Sequence, residues 1–254
     1  WGRRGGVVRQ KAGAAMEAAR RRTRGLDDLY EARGAALSLR CAACRCSLAH
    51  AFRLQMHTHE RRLWADGYEH VAGLDEAGRG CLAGPVVAAA VILPPGAEVE
   101  AVDDSKVLSE RARHDARTVI EERAVATAVA RCSPAEIDAL NILQAALKAM
   151  RQAARDCQPP PDFLLVDGNQ WARDLVEAPW PYETVVKGDA KSQSIAAASI
   201  LAKTERDALM RTLHETHPEY GWDSNVGYAT QGHYEALREH GSTPYHRQSF
   251  TLFR

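Results

Sequence analysis

VAGLDEAGRGCLAGPVVAAAVIL, residues 71–93, holds two short apolar runs, Val71–Asp75 and Val86–Leu93, around a glycine-rich link. Apolar runs of this length bounded by glycine and proline read as strand, tight turn, strand. The first run closes on Asp75-Glu76, and a carboxylate at a strand end is costly to bury unless it is paired or metal-bound. Neighbouring residues of a regular strand point to opposite faces, so both carboxylates reach one site only if the regular strand ends there. Gly78 and Gly80 accept the backbone angles that break a pleat. They also leave backbone N–H groups open to a phosphate or sugar, with Arg79 held between them.

Further along, Ser109–Arg123 reads as a helix opened by a serine cap, and Ala124–Arg131 alternates like a strand. Ser133–Cys157 reads as one long helix with Ser133 as cap and Pro134 in its first turn. Its apolar residues Ile137, Leu140, Leu143, Leu147 and Met150 are spaced to share a face. Pro159–Pro161 end it, and Phe163–Val166 is a continuous apolar run that closes on Asp167 before Gly168. Thr184–Val186 could add a fifth strand, and Ser194–His214 and Gln231–His240 read as helices. Strands linked as hairpins, then strands alternating with helices, predict a mixed sheet covered on its faces. In such sheets ligands collect where strands end and loops begin, which is where Asp75 and Asp167 stand. Asp207 lies on the helical face shared by Ile200, Lys203 and Met210, and on spacing alone it reads rather as a solvated helix charge with Arg206 and Arg211 as neighbours.

The chain balances 33 Lys+Arg against 33 Asp+Glu, but unevenly. Residues 1–55 carry 12 basic and 4 acidic side chains, leaving 21 against 29 for the rest, so a basic segment of about +8 precedes a body of about −8. An acidic body argues against non-specific DNA coating, which works by neutralising phosphates. Residues 1–55 show no sustained periodicity and begin at Trp1; they are expected to be disordered or to translate sequence upstream of a start at Met56. Cys41-x-x-Cys44 and His57 approach a zinc-finger spacing, with Cys46 or His50 as a fourth donor, but His59 falls too close to His57 to serve. Cys81, Cys132 and Cys157 are scattered singly, unlike a disulfide framework, and there is neither a secretory leader nor a membrane-length apolar run. A reduced, cytoplasmic setting is expected.

GLDEAGRG, then LAGPVVAAAVILP, DDSK, LLVDGN, SIAAASILAKTERD, GYATQGHYEALREHG and HRQSF, in this order over residues 60–250, resemble ribonuclease HII, the type 2 ribonuclease H family. The resemblance implies an α/β fold, a ribonuclease H-like mixed sheet flanked by helices with a helical C-terminal extension. It assigns residues 56–254 to that catalytic domain. It places the family's acidic tetrad, catalytic and metal-binding, on Asp75, Glu76, Asp167 and Asp207. The Gly78-Arg79-Gly80 turn and Tyr228 match the residues that read the RNA–DNA junction, and Lys106 a phosphate contact. Cys81 and Val226 depart from the pattern, standing where proline and lysine are common.

The implied activity is endonucleolytic cutting of RNA in RNA–DNA hybrids and at ribonucleotides embedded in duplex DNA. Four carboxylates with no His or Cys partner suit hard ions, Mg²⁺ or Mn²⁺, rather than zinc. Two such ions can activate water and stabilise the leaving oxygen. A monomer acting on nucleic acid, away from membranes, is expected. Gln248–Phe253 resembles a sliding-clamp peptide only faintly. His246 and Arg247 read as packing residues, the alternatives being contacts to nucleic acid or caps of the last helix, and Ser194 and Ser199 as small packing residues. The alternatives are a junction-resolvase-like nuclease of the same fold, or a non-catalytic protein that binds nucleic acid through its basic N-terminus.

Overall fold

The computed structural model describes residues 56, 58–97, 99, 108–171 and 180–253. The basic N-terminal segment, the zinc candidates Cys41, Cys44, Cys46, His50 and His57, and Lys106 lie outside the described residues. Five strands form one sheet in the order β3-β2-β1-β4-β5: β1 Val71–Ala77, β2 Val86–Ile92, β3 Ala126–Cys132, β4 Phe163–Asp167 and β5 Tyr182–Val185. β1 pairs antiparallel with β2 and β2 with β3, whereas β1 with β4 and β4 with β5 are parallel. The hairpin link of residues 78–85 accounts for the antiparallel pairing of β1 with β2.

The expected break after Asp75 does not occur. β1 stays in register with β2 through Ala77, with Asp75 opposite Ala89 and Glu76 opposite Ala88. Glu76 instead reaches the rim because it stands near the end of the strand, where its longer side chain can turn outward.

The helices are α1 Thr58–Ala65, α2 Glu110–Arg123, α3 Pro134–Leu140, α4 Ile142–Asp156, α5 Gln193–Thr216, α6 Trp222–Asn225 and α7 Gln231–His240. α4 covers one face of the sheet with Ala145, Ala149, Met150 and Ala153 against Ala72, Leu74 and Val166. α5 covers the other so closely that a side chain on Gly73 would collide with the Ser194 backbone. The alanines of β2 let both helices approach, and all seven of its residues are buried.

The single helix expected over Ser133–Cys157 is two. Asn141 takes a φ of 70° between α3 and α4, and its own side chain caps α4 by accepting from the Gln144 N–H at 3.1 Å. Asparagine supplies the cap, so the apolar rhythm continues across a break that it does not reveal. Leu140 is consequently exposed, while Ser133 caps α3 as expected, in a capping box completed by Glu136. α1 was not anticipated. It buries Glu60, whose carboxylate accepts from the Ser192 and Ser194 hydroxyls at 2.6 and 2.5 Å and from the Ser194 N–H at 3.0 Å, capping α5. α6, α7 and the last residues form the helical C-terminal extension around Tyr220, Trp222, Leu237 and Leu252. Among the described residues no helix is long and apolar enough to cross a membrane.

Candidate active site

Asp75 and Asp167 stand at neighbouring positions on the adjacent parallel strands β1 and β4, and Asp207 on α5 above them. Asp75 is buried, with its oxygen Oδ1 accepting from the Glu76 N–H at 2.7 Å and its carboxylate accepting from the Ser199 hydroxyl. Burial pushes the Asp75 carboxyl well above the usual carboxylate range, and repulsion from Glu76 and Asp167 pushes it further. Burial also raises Glu76, an effect that Arg79 opposes and Asp167 reinforces. Asp167 accepts from the Gly188 N–H at 2.7 Å. Three carboxylates therefore share one electrostatic site.

Asp207 joins at one remove. Lys203 lines the groove beside Glu76 and donates to Asp207 Oδ1 at 2.5 Å. Arg79 does the same for Glu76 at 2.9 Å. Among the described residues no three His, Cys, Asp or Glu side chains converge as a ready-made ligand set. The chemistry nonetheless fits a hard divalent cation: the donors are all carboxylate oxygens, and the crowding of like charges that raises Asp75 and Glu76 is what a cation would relieve. An arginine and a lysine now neutralise the outer two.

Glu76 opens on a groove of about 460 Å³ lined also by Gly78, Arg79, Gly80, Lys203 and Tyr228. A smaller cavity of about 110 Å³ shares Glu76 and Arg79 and reaches Asp167 and Asn169. The two glycines of the turn differ. Gly78 has a φ of +93° and a side chain there would run into the Arg206 guanidinium, whereas a side chain at Gly80 meets open space. Tyr228 is 44% exposed, and its hydroxyl donates to the buried Cys81 sulfur. The structure thus gathers the turn and the tyrosine, 150 residues apart in sequence, on one wall beside the carboxylates.

Residues 72–253 match the family model for ribonuclease HII. The chain belongs to the ribonuclease HII family. A ribonuclease HII of Salinibacter ruber is 78% identical over 199 residues, 78% of this chain and all of that one. Among solved structures, the complex of PCNA with ribonuclease HII from Archaeoglobus fulgidus superposes with a TM-score of 0.62 at 28% identity, over 73% of this chain and 96% of that one. Bst ribonuclease HIII in complex with Mn²⁺ shares the fold at 19% identity, with a TM-score of 0.56, over 81% of this chain and 71% of that one. This chain is accordingly an endoribonuclease of the ribonuclease H type, a hydrolase.

Three features of this ribonuclease HII fold were not visible beforehand. Ser199 is more than a small packing residue, since its hydroxyl holds Asp75, and the Ser194 hydroxyl holds Glu60. His246 and Arg247 are buried, as a packing role requires, but they do not cap the last helix, whose C-cap N–H from Gly241 returns to Leu237. Arg206, expected beside Asp207 on a solvated face, is buried and donates to the carbonyls of Ala83, Pro85 and Val226. An isolated arginine in a helix carries no signal that its partners will be carbonyls; Lys203, four residues before Asp207, was legible from spacing.

Proposed function

We propose that this chain hydrolyses the phosphodiester on the 5′ side of a ribonucleotide, in RNA–DNA hybrids and within duplex DNA, leaving a 3′-hydroxyl and a 5′-phosphate. The observation that carries this is the juxtaposition of three mutually repelling carboxylates, Asp75 buried and Glu76 and Asp167 half-buried, with a groove walled by the Gly78-Arg79-Gly80 turn and Tyr228. Asp75, Glu76, Asp167 and Asp207 would hold Mg²⁺ or Mn²⁺, and a pair of such ions supplies an activated water and stabilises the leaving oxygen. The Mn²⁺ bound by the Bst ribonuclease HIII supports this choice of ion class.

The chain's own residues prepare the site. Ser199 and the Gly188 N–H fix the carboxylates of Asp75 and Asp167, so neither must reorganise as substrate arrives. Arg79 and Lys203 balance Glu76 and Asp207 until then. The turn's backbone N–H groups and the Tyr228 ring face the groove without reaching for a base edge, a means of telling ribose from deoxyribose in any sequence.

Residues 56–254 are proposed to carry the whole activity, and the 199 matched residues of the Salinibacter relative equal Met56–Arg254 in number. Shortening the chain to that span should preserve turnover. No clamp peptide is proposed at the C-terminus: Asp138 accepts from the N–H groups of Gln248 and Ser249, both at 2.9 Å, and Leu252 is buried. The test of function is an end-labelled duplex with one ribonucleotide, cut in Mg²⁺ or Mn²⁺ and not in chelator. Equal cutting of an all-DNA duplex would remove the sugar-reading role, and 2′,3′-cyclic phosphate ends would remove the attacking water.

A further inference from the structure

We infer that His246 and Arg247 are a positioning pair that holds both halves of the groove wall, the Gly78-Arg79-Gly80 turn and Tyr228, in a single frame. This rests on the reading of that wall as the ribose reader.

Arg247 is fully buried and touches no carboxylate directly among the described residues, although the nearby Asp138 carboxylate favours its charge. Its guanidinium donates to four carbonyls: Gly78 at 2.7 Å, Arg79 at 3.0 Å, Gly84 at 3.1 Å and Pro85 at 3.3 Å. Burial brings its pKa down to about 10, which leaves it charged at neutral pH. The first two contacts decide the turn. The peptide bonds after Gly78 and Arg79 are trans, so each carbonyl points away from the N–H of the same peptide unit. Carbonyls drawn inward onto Arg247 send the N–H groups of Arg79 and Gly80 outward, and neither N–H has an intramolecular acceptor among the described residues. A positive charge on the carbonyl side also polarises each peptide, making its N–H a stronger donor.

His246, the preceding residue, reaches the other half. Its Nδ1 accepts from the Thr243 N–H at 3.0 Å, a donor with no alternative role, so the imidazole proton sits on Nε2. That proton is donated to His233 Nε2 at 3.1 Å. His233 therefore carries its own proton on Nδ1 and donates it to the Tyr228 carbonyl at 2.8 Å. Trp222 Nε1–H also donates to His233 Nε2, at 3.2 Å, fixing the same tautomer. The relay is one-way and closed, and it works only while both rings are neutral. Burial lowers both histidines, His246 to about 4 with further help from the neighbouring His233 and His217. The backbone ties the halves together: Arg247 N–H donates to Leu82 O at 2.9 Å, and Leu82 N–H to Gly227 O at 2.8 Å.

The experiment compares Arg247→Gln, Arg247→Lys and His246→Gln with the unmodified chain by melting temperature and by kcat and KM on a duplex with one ribonucleotide. An all-DNA duplex serves as competitor. Arg247→Gln should raise KM about tenfold or more, the loss expected of one charge-assisted hydrogen bond. It should leave kcat within about threefold and the competitor's inhibition constant unchanged, because the acidic centre and the general grip on DNA are untouched. Arg247→Lys should recover part of the loss. His246→Gln should raise KM in the unmodified chain but add nothing in a Tyr228→Ala background, because the relay acts only through Tyr228. The pair is overturned if KM stays unchanged, if ribonucleotide and all-DNA duplexes weaken equally, or if the His246→Gln loss persists without Tyr228. It is also overturned if neither Arg247 variant folds, since the contact would then hold the core and not the reader. An unmodified chain that fails to prefer the ribonucleotide duplex would instead sink the ribose reading itself.

Discussion

Buried charge of opposite sign lies on the two sides of the groove, and the two sides are satisfied in different ways. The acidic side crowds Asp75, Glu76 and Asp167 until burial and mutual repulsion raise the first two, with only hydroxyl, N–H and a half-exposed Arg79 in compensation. The basic side buries Arg206 and Arg247 with no direct ion pair among the described residues, Asp138 acting on Arg247 only from a distance, yet spreads their charge over seven hydrogen bonds to backbone carbonyls. An unpaired buried charge is costly, whereas a fully hydrogen-bonded one is tolerable. The acidic side is thus suited to completion from outside, by cations, whereas the basic side is complete in itself and spends its hydrogen bonds on shaping the loops. On the proposed function, chemistry belongs to the first and recognition to the second.

The largest expected effect breaks the acidic side alone. Asp167→Asn keeps the size and the acceptor for the Gly188 N–H but removes one of the coupled charges. Turnover should fall by roughly 10³ or more, the scale on which removal of a transition-state stabiliser is felt. Binding of a ribonucleotide duplex should survive. A single-turnover assay beside a binding titration checks both, and near-normal turnover would show that Asp167 is not part of the chemistry.

Next comes the turn that both sides share. Gly78→Ala places a methyl group into the Arg206 side chain at a φ of +93°, so it combines strain with a clash against a buried charge. A loss of about 3 kcal/mol or more is expected. Gly80→Ala meets open space and should cost under about 1 kcal/mol, while the new methyl group projects near the groove. Denaturant melts of the two variants separate them, and equal losses would mean that Arg206 yields readily and the basic side is softer than its hydrogen bonds suggest.

What could be read beforehand follows the same division. Asp75 and Asp167 were legible because a carboxylate closing an apolar strand before glycine is a local anomaly. Asp207 needed the family resemblance, since a helix charge is usually solvated. The strands were legible from their apolar runs; the break at Asn141 was not, because the residues on either side keep one rhythm. The basic side was legible only in part. Arg247 reads as a packing residue, but nothing marks its carbonyl partners, 162 to 169 residues away, or those of Arg206, 20 to 123 residues away. Long-range backbone contacts leave no spacing pattern in the chain.

A smaller effect tests whether the histidine relay is neutral. The folded His246 pKa, about 4, lies below its ordinary 6.5, so the unfolded chain binds the extra proton more readily between those values. The stability that depends on this residue should be fully present above pH 6.5, decline as pH falls, and be gone below about 4. Melting temperature followed from pH 8 to pH 4 should therefore drop more steeply for the unmodified chain than for His246→Gln, which cannot charge. Parallel curves would mean that the carboxylates alone set the acid limb.

The smallest expected effect is a gain, and it sits where the basic side meets Tyr228. Val226 holds a left-handed backbone with φ 41° and ψ 36°, a conformation that a β-branched side chain tolerates poorly. It is held there because its carbonyl accepts from Arg206 Nη1 at 2.8 Å and the next residue, Gly227, closes the bend at φ +82°. Asparagine accepts the left-handed region far more readily and leaves the carbonyl in place. Against that gain, Val226 packs against the cluster around Met210 and Trp222, so some apolar contact is lost. The strain at such a residue is about 1–3 kcal/mol, and a partly buried valine contributes less than that, so the balance favours Val226→Asn. An increase of about 2–4 °C in melting temperature is expected for each kcal/mol recovered in a chain of this size. KM for the ribonucleotide duplex should not rise, because the Arg206 contact that sets the loop is to the backbone. A fall in melting temperature would show that packing, and not the guanidinium–carbonyl contact, holds this corner of the reader.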